Sequence, residues 1–178
     1  MVGPPVLSKV MLLGQAPGPR EANFGKPFAW TAGKTLFTWF QRIGIGEEDF
    51  RKFVFISAVC RCFPGKAPGG GDRVPSKTEI QNCSRWVSRE IEILRPELII
   101  PVGRLAIEQF LSFEKLNDII GQKFPDPLRS GTEIIPLPHP SGVSSWFKTQ
   151  PGIGLLENAL NLIANHTAFK NFTQTHPN

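Results

Sequence analysis

Residues 9–33 read KVMLLGQAPGPREANFGKPFAWTAG, and they open with a short apolar run that stops at a glycine. Runs of the same kind recur at Phe53 to Ala58, Leu98 to Gly103 and Thr132 to Leu137. Short apolar runs bounded by glycine and polar residues are typical of buried β-strands. The four runs therefore predict four strands of one sheet.

Helical patterns separate these runs. They cover Ala32 to Ile43, Lys77 to Leu94 behind the capping box Ser76-x-x-Glu79, Arg104 to Phe113, and Gly154 to Asn165. Strands that alternate with helices favour right-handed crossovers and a parallel sheet covered on both faces. We predict an α/β fold, a three-layer α/β/α sandwich around a four-stranded parallel sheet.

The length of 178 residues, 40% of them hydrophobic, suits one sizeable core. We therefore expect a single domain over residues 1–178, with its core from about residue 9 to 165. The segment Pro64 to Pro75 is expected to be irregular, and the tail at 167–178 to be frayed.

The net charge of +5 favours a polyanionic partner. No apolar run reaches the roughly eighteen residues that a membrane-spanning helix needs, and Met1 to Ser8 lacks the features of a signal peptide. We expect a soluble, cytoplasmic monomer. The three cysteines, Cys60, Cys62 and Cys83, are an odd number and are expected to be reduced thiols.

Polar loops rich in glycine and proline follow three of the predicted strands. They are Gly14 to Gly18, Ser57 to Gly65, and His139-Pro-Ser141. Ligands of parallel α/β sheets bind beyond the carboxyl ends of the strands. The three loops therefore predict one functional site at a single edge of the sheet.

These motifs resemble those of the uracil-DNA glycosylase superfamily, and most of all its iron-sulfur (family 4-like) class. The first motif of that class reads like GEAPG, an acidic stretch and GxPFxGxAG, and residues 14–33 align with it without a gap. Gln15 replaces a Glu, Trp30 a Gly, and Ser57 the Asn that usually ends the second strand. The closing His-Pro-Ser motif is LPHPSGVSSW, and the similarity runs from about Lys9 to about Leu160.

The resemblance implies a monofunctional DNA glycosylase that flips uracil out of DNA and excises it hydrolytically in base excision repair. Its partner would be DNA containing uracil or other deaminated bases, since the hydroxyl of Ser57 discriminates less between base edges than the amide of Asn does. The catalytic residues would be His139, which stabilises the departing base, and Glu21, which orients or activates water. Base binding would fall to Gln15, Ala16, Phe28 and Ser57, with the Phe28 ring stacked on the base.

The segment Pro64 to Pro75 contains three consecutive glycines and is called the glycine-rich loop. DNA contacts are expected at Gly18, at Lys66 and Arg73 of this loop, and at Ser141, Ser144 and Ser145. Trp146, followed by Phe147, would supply a wedge that fills the gap left by the flipped base. We expect His139, Glu21 and Phe28 to surround a cavity of base size.

No cofactor is expected. The iron-sulfur class places a Cys-x-x-Cys pair ahead of its first strand, whereas this chain has no cysteine before Cys60 and three in all. A zinc site is a weak alternative, because Cys-x-Cys without a second close pair is a poor ligand pattern. The alternative function is a catalytically inactive member of the same fold that binds lesions or single-stranded DNA, favoured by the departures at Gln15, Ala16 and Ser57.

Overall fold

The structure is a computed structural model that describes residues 3–142 and 144–175. Its sheet has the strand order β2-β1-β3-β5-β4. The strands are β1 (Val10–Gly14), β2 (Phe55–Ala58), β3 (Leu98–Pro101), β4 (Phe124–Pro125) and β5 (Glu133–Ile134). β1, β2, β3 and β5 are parallel, which confirms the predicted α/β fold. The additional strand β4 runs antiparallel at the edge, and its two residues are too short to show a pattern in the sequence.

Side chains of β1 point alternately to the two faces of the sheet. Val10 and Leu12 belong to the larger core cluster, whereas Met11 and Leu13 belong to the smaller one. Every residue of β1 is buried. A strand that is covered on both faces has a continuous apolar sequence, which is why KVMLLG shows no alternation.

Seven α-helices are described: α1 (Glu21–Phe24), α2 (Thr31–Gln41), α3 (Glu47–Phe53), α4 (Lys77–Leu94), α5 (Arg104–Ile107), α6 (Gly152–Asn165) and α7 (Thr167–Thr175). Short 3-10 turns lie at Leu116–Asp118 and Trp146–Lys148. α4 has its predicted bounds, and its capping box is present: the Glu79 amide donates to Ser76 Oγ, and the Ser76 amide donates to Glu79 Oε2.

Other helical bounds differ from the sequence-based expectation. Phe53 ends α3 instead of beginning a strand; acidic residues in the first turn of α3 and basic residues in its last turn suit the helix dipole. α5 ends at Ile107, well before Phe113. The tail expected to be frayed contains α7, because Ala168 and Phe169 are buried in the larger core cluster. Residues 176–178 of that tail lie outside the described residues.

β1 lies between β2 and β3, so the crossover from β2 carries the chain past β1 to the other half of the sheet. The carboxyl ends beside such a switch point form a crevice that binds ligands in open α/β folds. Here that crevice begins at Gly14 and Ala58, which are paired in register. Within the described residues, no helix combines the length and the apolar character needed to cross a membrane.

Candidate functional site

A small cavity lies at the carboxyl end of β1, where the first two sequence motifs meet. It is lined by Gly14, Ala16, Pro17, Glu21, Pro27, Phe28, Ser57 and Ala58, and its volume is about 20 Å³. A cavity of roughly 10–15 Å³ on this scale holds one water molecule. The structure thus brings Ala16, Glu21, Phe28 and Ser57 together as predicted, but the space between them is water-sized. The expected base-sized cavity is absent from this part of the described structure.

Phe28 forms part of the wall of this cavity. Its backbone has φ 52°, a left-handed conformation that is rare for a large side chain. The ring lies on β1 so closely that a Cβ at Gly14 would be 2.9 Å from Phe28 Cζ, and a Cβ at Gly33 would overlap the Phe28 carbonyl oxygen. Gly14 and Gly33 are therefore required for the position of the Phe28 ring.

Arg51 of α3 holds the backbone around Phe28. Its Nη1 donates to the Pro27 carbonyl at 2.8 Å and its Nη2 to the Phe28 carbonyl at 3.1 Å. Nε pairs with Glu47 at 2.9 Å, and the side chain is 11% exposed. The guanidinium also lies over the Phe37 ring at 4.5 Å. Sequence reasoning missed Arg51, because α3 carries no motif and was not predicted.

Glu21, in α1, borders the cavity. Its carboxylate accepts a hydrogen bond from the Gly18 amide through Oε2. A Cβ at Gly18 would come within 2.7 Å of the same oxygen, so Gly18 permits the carboxylate to fold against the loop. A carboxylate beside a one-water cavity has the position required of a group that orients an attacking water.

The Ser57 hydroxyl points to α4. It donates to Glu90 Oε2 at 2.8 Å, and Arg61 Nη2 contacts the same oxygen at 2.6 Å. Ser57 pairs in register with Leu13, whose side chain belongs to the core cluster under α4. Ser57 is 1% exposed. It therefore borders the cavity while its hydroxyl proton is committed to Glu90 instead of a base edge.

Gln15 and Ala16 continue the course of β1 beyond its end. The Gln15 carbonyl accepts from the Cys60 amide at 3.0 Å, as the Gly14 carbonyl accepts from Val59 at 2.9 Å. Ala16 packs against the smaller core cluster. Gln15 does not line the cavity, whereas Ala16 does.

His139 lies at the same edge of the sheet, beyond β5. Its Nδ1 accepts from the Ser141 amide at 3.2 Å, so the neutral imidazole carries its proton on Nε2. Burial lowers the pKa of His139 from its usual 6.5, and the charge of Asp72 acts in the opposite direction. The residue is nevertheless open to solvent on one side. His139 is thus a neutral donor at neutral pH, and it lies outside the lining of the water-sized cavity.

Asp72, in the glycine-rich loop, links the two halves of the site. A Cβ at Gly18 would lie 3.5 Å from Asp72 Oδ2, and the Asp72 charge reaches His139. Asp72 Oδ1 accepts from Lys66 Nζ at 2.7 Å. The loop therefore places an acidic group between the Glu21 side and the His139 side, which no sequence signal indicated.

Arg73 holds the glycine-rich loop to α4. Its two terminal nitrogens pair with Glu79 at 2.9 and 2.8 Å, and they also donate to the Pro64 and Val74 carbonyls. Arg73, followed by the capping contacts with Ser76, lowers the pKa of Glu79 to about 2. Lys66 is paired with Asp72. Both cations that we expected at DNA phosphates are engaged within the protein, and for Arg73 the bidentate pairing indicates a structural role.

Trp146 is anchored instead of projecting as a wedge. Its Nε1 donates to Asn117 Oδ1 at 2.8 Å, and its partly buried ring packs against the larger core cluster. Phe147 packs edge-on against Trp39 with ring centroids 5.0 Å apart. These contacts would have to break before either ring entered a base stack. Ser141 and Ser144 form a turn in which the Ser144 amide donates to the Ser141 carbonyl at 3.1 Å, and Ser145 is exposed.

Several depressions elsewhere in the described structure are larger than the cavity at β1, and two of them are widely open. One, of about 740 Å³, is lined by Lys26, Glu47, Glu48, Arg51 and Lys52 with Pro4 and Val6. The other, of about 710 Å³, lies at the amino end of the sheet around Arg95 and Gly131. Ion pairs join the charged side chains of the first depression, and Lys26 is its one lining residue from the sequence motifs. The second depression has no lining residue from these motifs.

The family model described as the uracil DNA glycosylase superfamily matches residues 1–160. The chain belongs to this superfamily. Two similar glycosylases are the type-4 uracil-DNA glycosylase of Saccharolobus solfataricus, 37% identical over 111 residues, and that of Pyrobaculum aerophilum, 32% identical over 118 residues. The matches cover 62% and 64% of this chain, and 46% and 56% of those proteins, so the chain spans about half the length of these relatives.

A solved structure, that of SMUG2 from Pedobacter heparinus, is similar to the chain with a TM-score of 0.48 and 16% identity. The match covers 94% of this chain and 76% of that one. Membership of the glycosylase superfamily rests on the family match.

Four thiolates normally hold an iron-sulfur cluster, and the chain has three cysteines. Burial, followed by the neighbouring Cys83, raises the pKa of Cys60 to about 12, which keeps it a protonated thiol. In residues 3–142 and 144–175, no group of three or more His, Cys, Asp or Glu side chains is placed to hold a metal ion.

Proposed function

We propose that the chain is a monofunctional DNA glycosylase that flips uracil, or another deaminated base, out of DNA and hydrolyses its N-glycosidic bond in base excision repair. The observation that carries the proposal is the presence of two groups at the same edge of the sheet. One is a neutral imidazole donor, His139, and the other is the Glu21 carboxylate, which borders a cavity large enough for one water. The superfamily membership and the names of the type-4 relatives support the same chemistry.

The reaction separates opposite charges. The sugar becomes oxocarbenium-like, the base leaves as an anion, and water adds to the sugar carbon. Nε2–H of His139 donates to the carbonyl oxygen on which the negative charge of the base develops. Glu21 orients the water and takes up its proton as the new carbon–oxygen bond forms.

Base entry requires the cavity to widen, because its present volume suits one water. Two contacts close it: the Phe28 ring lies on Gly14, and the Glu21 carboxylate is folded onto the Gly18 amide. We propose that the incoming base slides between Phe28 and β1, with the ring then stacked on the base. Flipped bases are commonly held by such an aromatic face.

The DNA backbone is proposed to cross the loop of Ser141, Ser144 and Ser145, near His139. Ser145 is exposed there, and serine hydroxyls are suitable donors to phosphate oxygens. Gly18 allows close approach on the opposite side. Lys66 joins these contacts if phosphate replaces Asp72 as its partner. The protein is proposed to act as a cytoplasmic monomer.

The test is excision from three labelled oligonucleotides that carry uracil, hypoxanthine or xanthine, each followed by alkaline cleavage. We expect strand scission with uracil, and a loss of about 100-fold or more in the His139→Ala variant. A thymine oligonucleotide is the matched control. Scission that persists unchanged in His139→Ala would remove the imidazole from the mechanism.

Two observations favour a second function, that of a catalytically inactive DNA-binding protein. The cavity is closed to a base, and the Ser57 hydroxyl is committed to Glu90. A non-catalytic binder would bind the same oligonucleotides and release no base from any of them. The excision panel therefore separates the two functions directly.

A further inference from the structure

Trp30 belongs to an exposed aromatic cluster that has no role in the candidate site. Its ring stacks on Phe24 with centroids 6.0 Å apart and planes inclined by 22°. The Arg20 guanidinium lies 4.2 Å from the Trp30 ring centroid. Phe24 is 49% exposed and Trp30 41% exposed. We call Arg20, Phe24 and Trp30 the aromatic platform.

The platform adjoins the candidate site along the chain. Arg20 directly precedes Glu21, and Trp30 is two residues after Phe28 at the start of α2. Glu21 and Phe24 occupy the same short helix α1. A strand whose flipped nucleotide enters beside Phe28 would therefore bring a neighbouring nucleotide to the platform.

The charges around the platform favour a polyanion. Arg20 is exposed, and Lys34 lies one turn into α2, where its amide donates to the Trp30 carbonyl at 3.0 Å. Among the described residues, neither cation forms a salt bridge. Two partly exposed aromatic rings, with Arg20 and Lys34 close by in the chain, match the chemistry of single-stranded nucleic acid, in which bases stack on rings and phosphates pair with cations.

We propose that the aromatic platform binds an unpaired nucleotide next to the flipped base, and so gives the protein a preference for single-stranded DNA. In a duplex the neighbouring base remains stacked and paired, and it cannot lie on a protein ring without breaking those interactions. The inference rests on the proposed function only in taking DNA as the ligand.

The experiment measures binding of a labelled single-stranded oligonucleotide without uracil, and of the corresponding duplex, by fluorescence anisotropy. The variants are Trp30→Ala, Phe24→Ala and the conservative Trp30→Phe. Trp86→Ala is the matched control, because Trp86 is 51% exposed and lies under Arg85 at 4.9 Å, but it belongs to α4. Thermal unfolding of each variant confirms that the fold is kept.

We expect Trp30→Ala to weaken single-strand binding by about tenfold, as loss of one stacked base would, and Phe24→Ala to weaken it in the same direction. Trp30→Phe should retain most of the affinity, and duplex binding should change less than about twofold. Equal losses in Trp30→Ala and Trp86→Ala, or no loss in Trp30→Ala, would overturn the proposal. Because the oligonucleotide contains no uracil, this outcome is independent of whether the protein excises a base.

Discussion

Phe28 shows how single residues shape the site. Its left-handed backbone is stabilised from one side by the Arg51 guanidinium and is permitted on the other by Gly33. A backbone strained in this way persists only where surrounding contacts determine it, and such positions cluster at functional sites. Arg51 is therefore a positioning residue for the ring that we expect to stack on a base.

Replacement of Arg51 by alanine should lower the free energy of unfolding by about 1–3 kcal/mol, because the Pro27 and Phe28 carbonyls would lose their shared charged donor. Urea unfolding measures the effect. Lys52→Ala is the control on the same helix, since its exposed ion pairs with Glu48 and Asp49 are screened by solvent and should contribute little. Equal losses in the two variants would contradict the role of Arg51.

The proton on His139 gives a second prediction. Protonation of Nδ1 would break its hydrogen bond with the Ser141 amide, which holds the ring in place. Burial lowers the pKa of His139 below 6.5, so excision should remain constant as pH falls to that value and decline only below it. The Asp72 charge raises this pKa. Asp72→Asn should therefore move the acid limb of the kcat/KM profile to still lower pH. A limb that moves upward, or does not move, would show that Asp72 does not act on His139.

At the scale of elements, α4 was predictable, whereas α1 and α3 were not. The capping box of Ser76 and Glu79 and the long amphipathic pattern determine its bounds locally. α1 has four residues and α3 seven, too few for periodicity to identify them. The apolar end of α3 at Phe53 also runs directly into β2, which is why the strand was predicted to begin two residues early.

Loss of the Ser76 cap should be measurable. Ser76→Ala removes the hydroxyl that accepts from the Glu79 amide, and caps of this kind contribute about 1 kcal/mol. Ser88→Ala, at an exposed position in the middle of α4, is expected to be neutral or slightly stabilising. Chemical denaturation of both variants checks the prediction, and a Ser76→Ala variant as stable as the wild type would contradict it.

At the scale of the whole molecule, the segment after Thr167 completes the larger core cluster. Phe169 is fully buried and stacks on Phe40 with centroids 6.2 Å apart. Phe169→Ala should lower the free energy of unfolding by about 3–5 kcal/mol, the usual loss for a buried phenylalanine. Calorimetry of both variants measures the loss, and Phe24→Ala, at an exposed position, should lower the free energy of unfolding far less. A negligible effect at Phe169 would mean that α7 does not belong to the core.

The sequence predicted the parallel sheet and the meeting of distant loops, because strand patterns and the carboxyl-end rule suffice for both. It did not predict what fills the site. The roles of Arg51 and Asp72, the commitment of Ser57 to Glu90, and the anchoring of Trp146 all depend on partners far away in the chain. Local patterns carry no information about such pairings.

The most direct test of the glycosylase account is the release of free uracil from a uracil-containing single strand under single-turnover conditions, quantified by chromatography. The wild-type protein should release uracil in equal amount to the abasic sites formed. His139→Ala and Glu21→Gln should each be about 100-fold slower while DNA binding is retained. A folded, DNA-binding wild-type protein that releases no uracil would contradict the account.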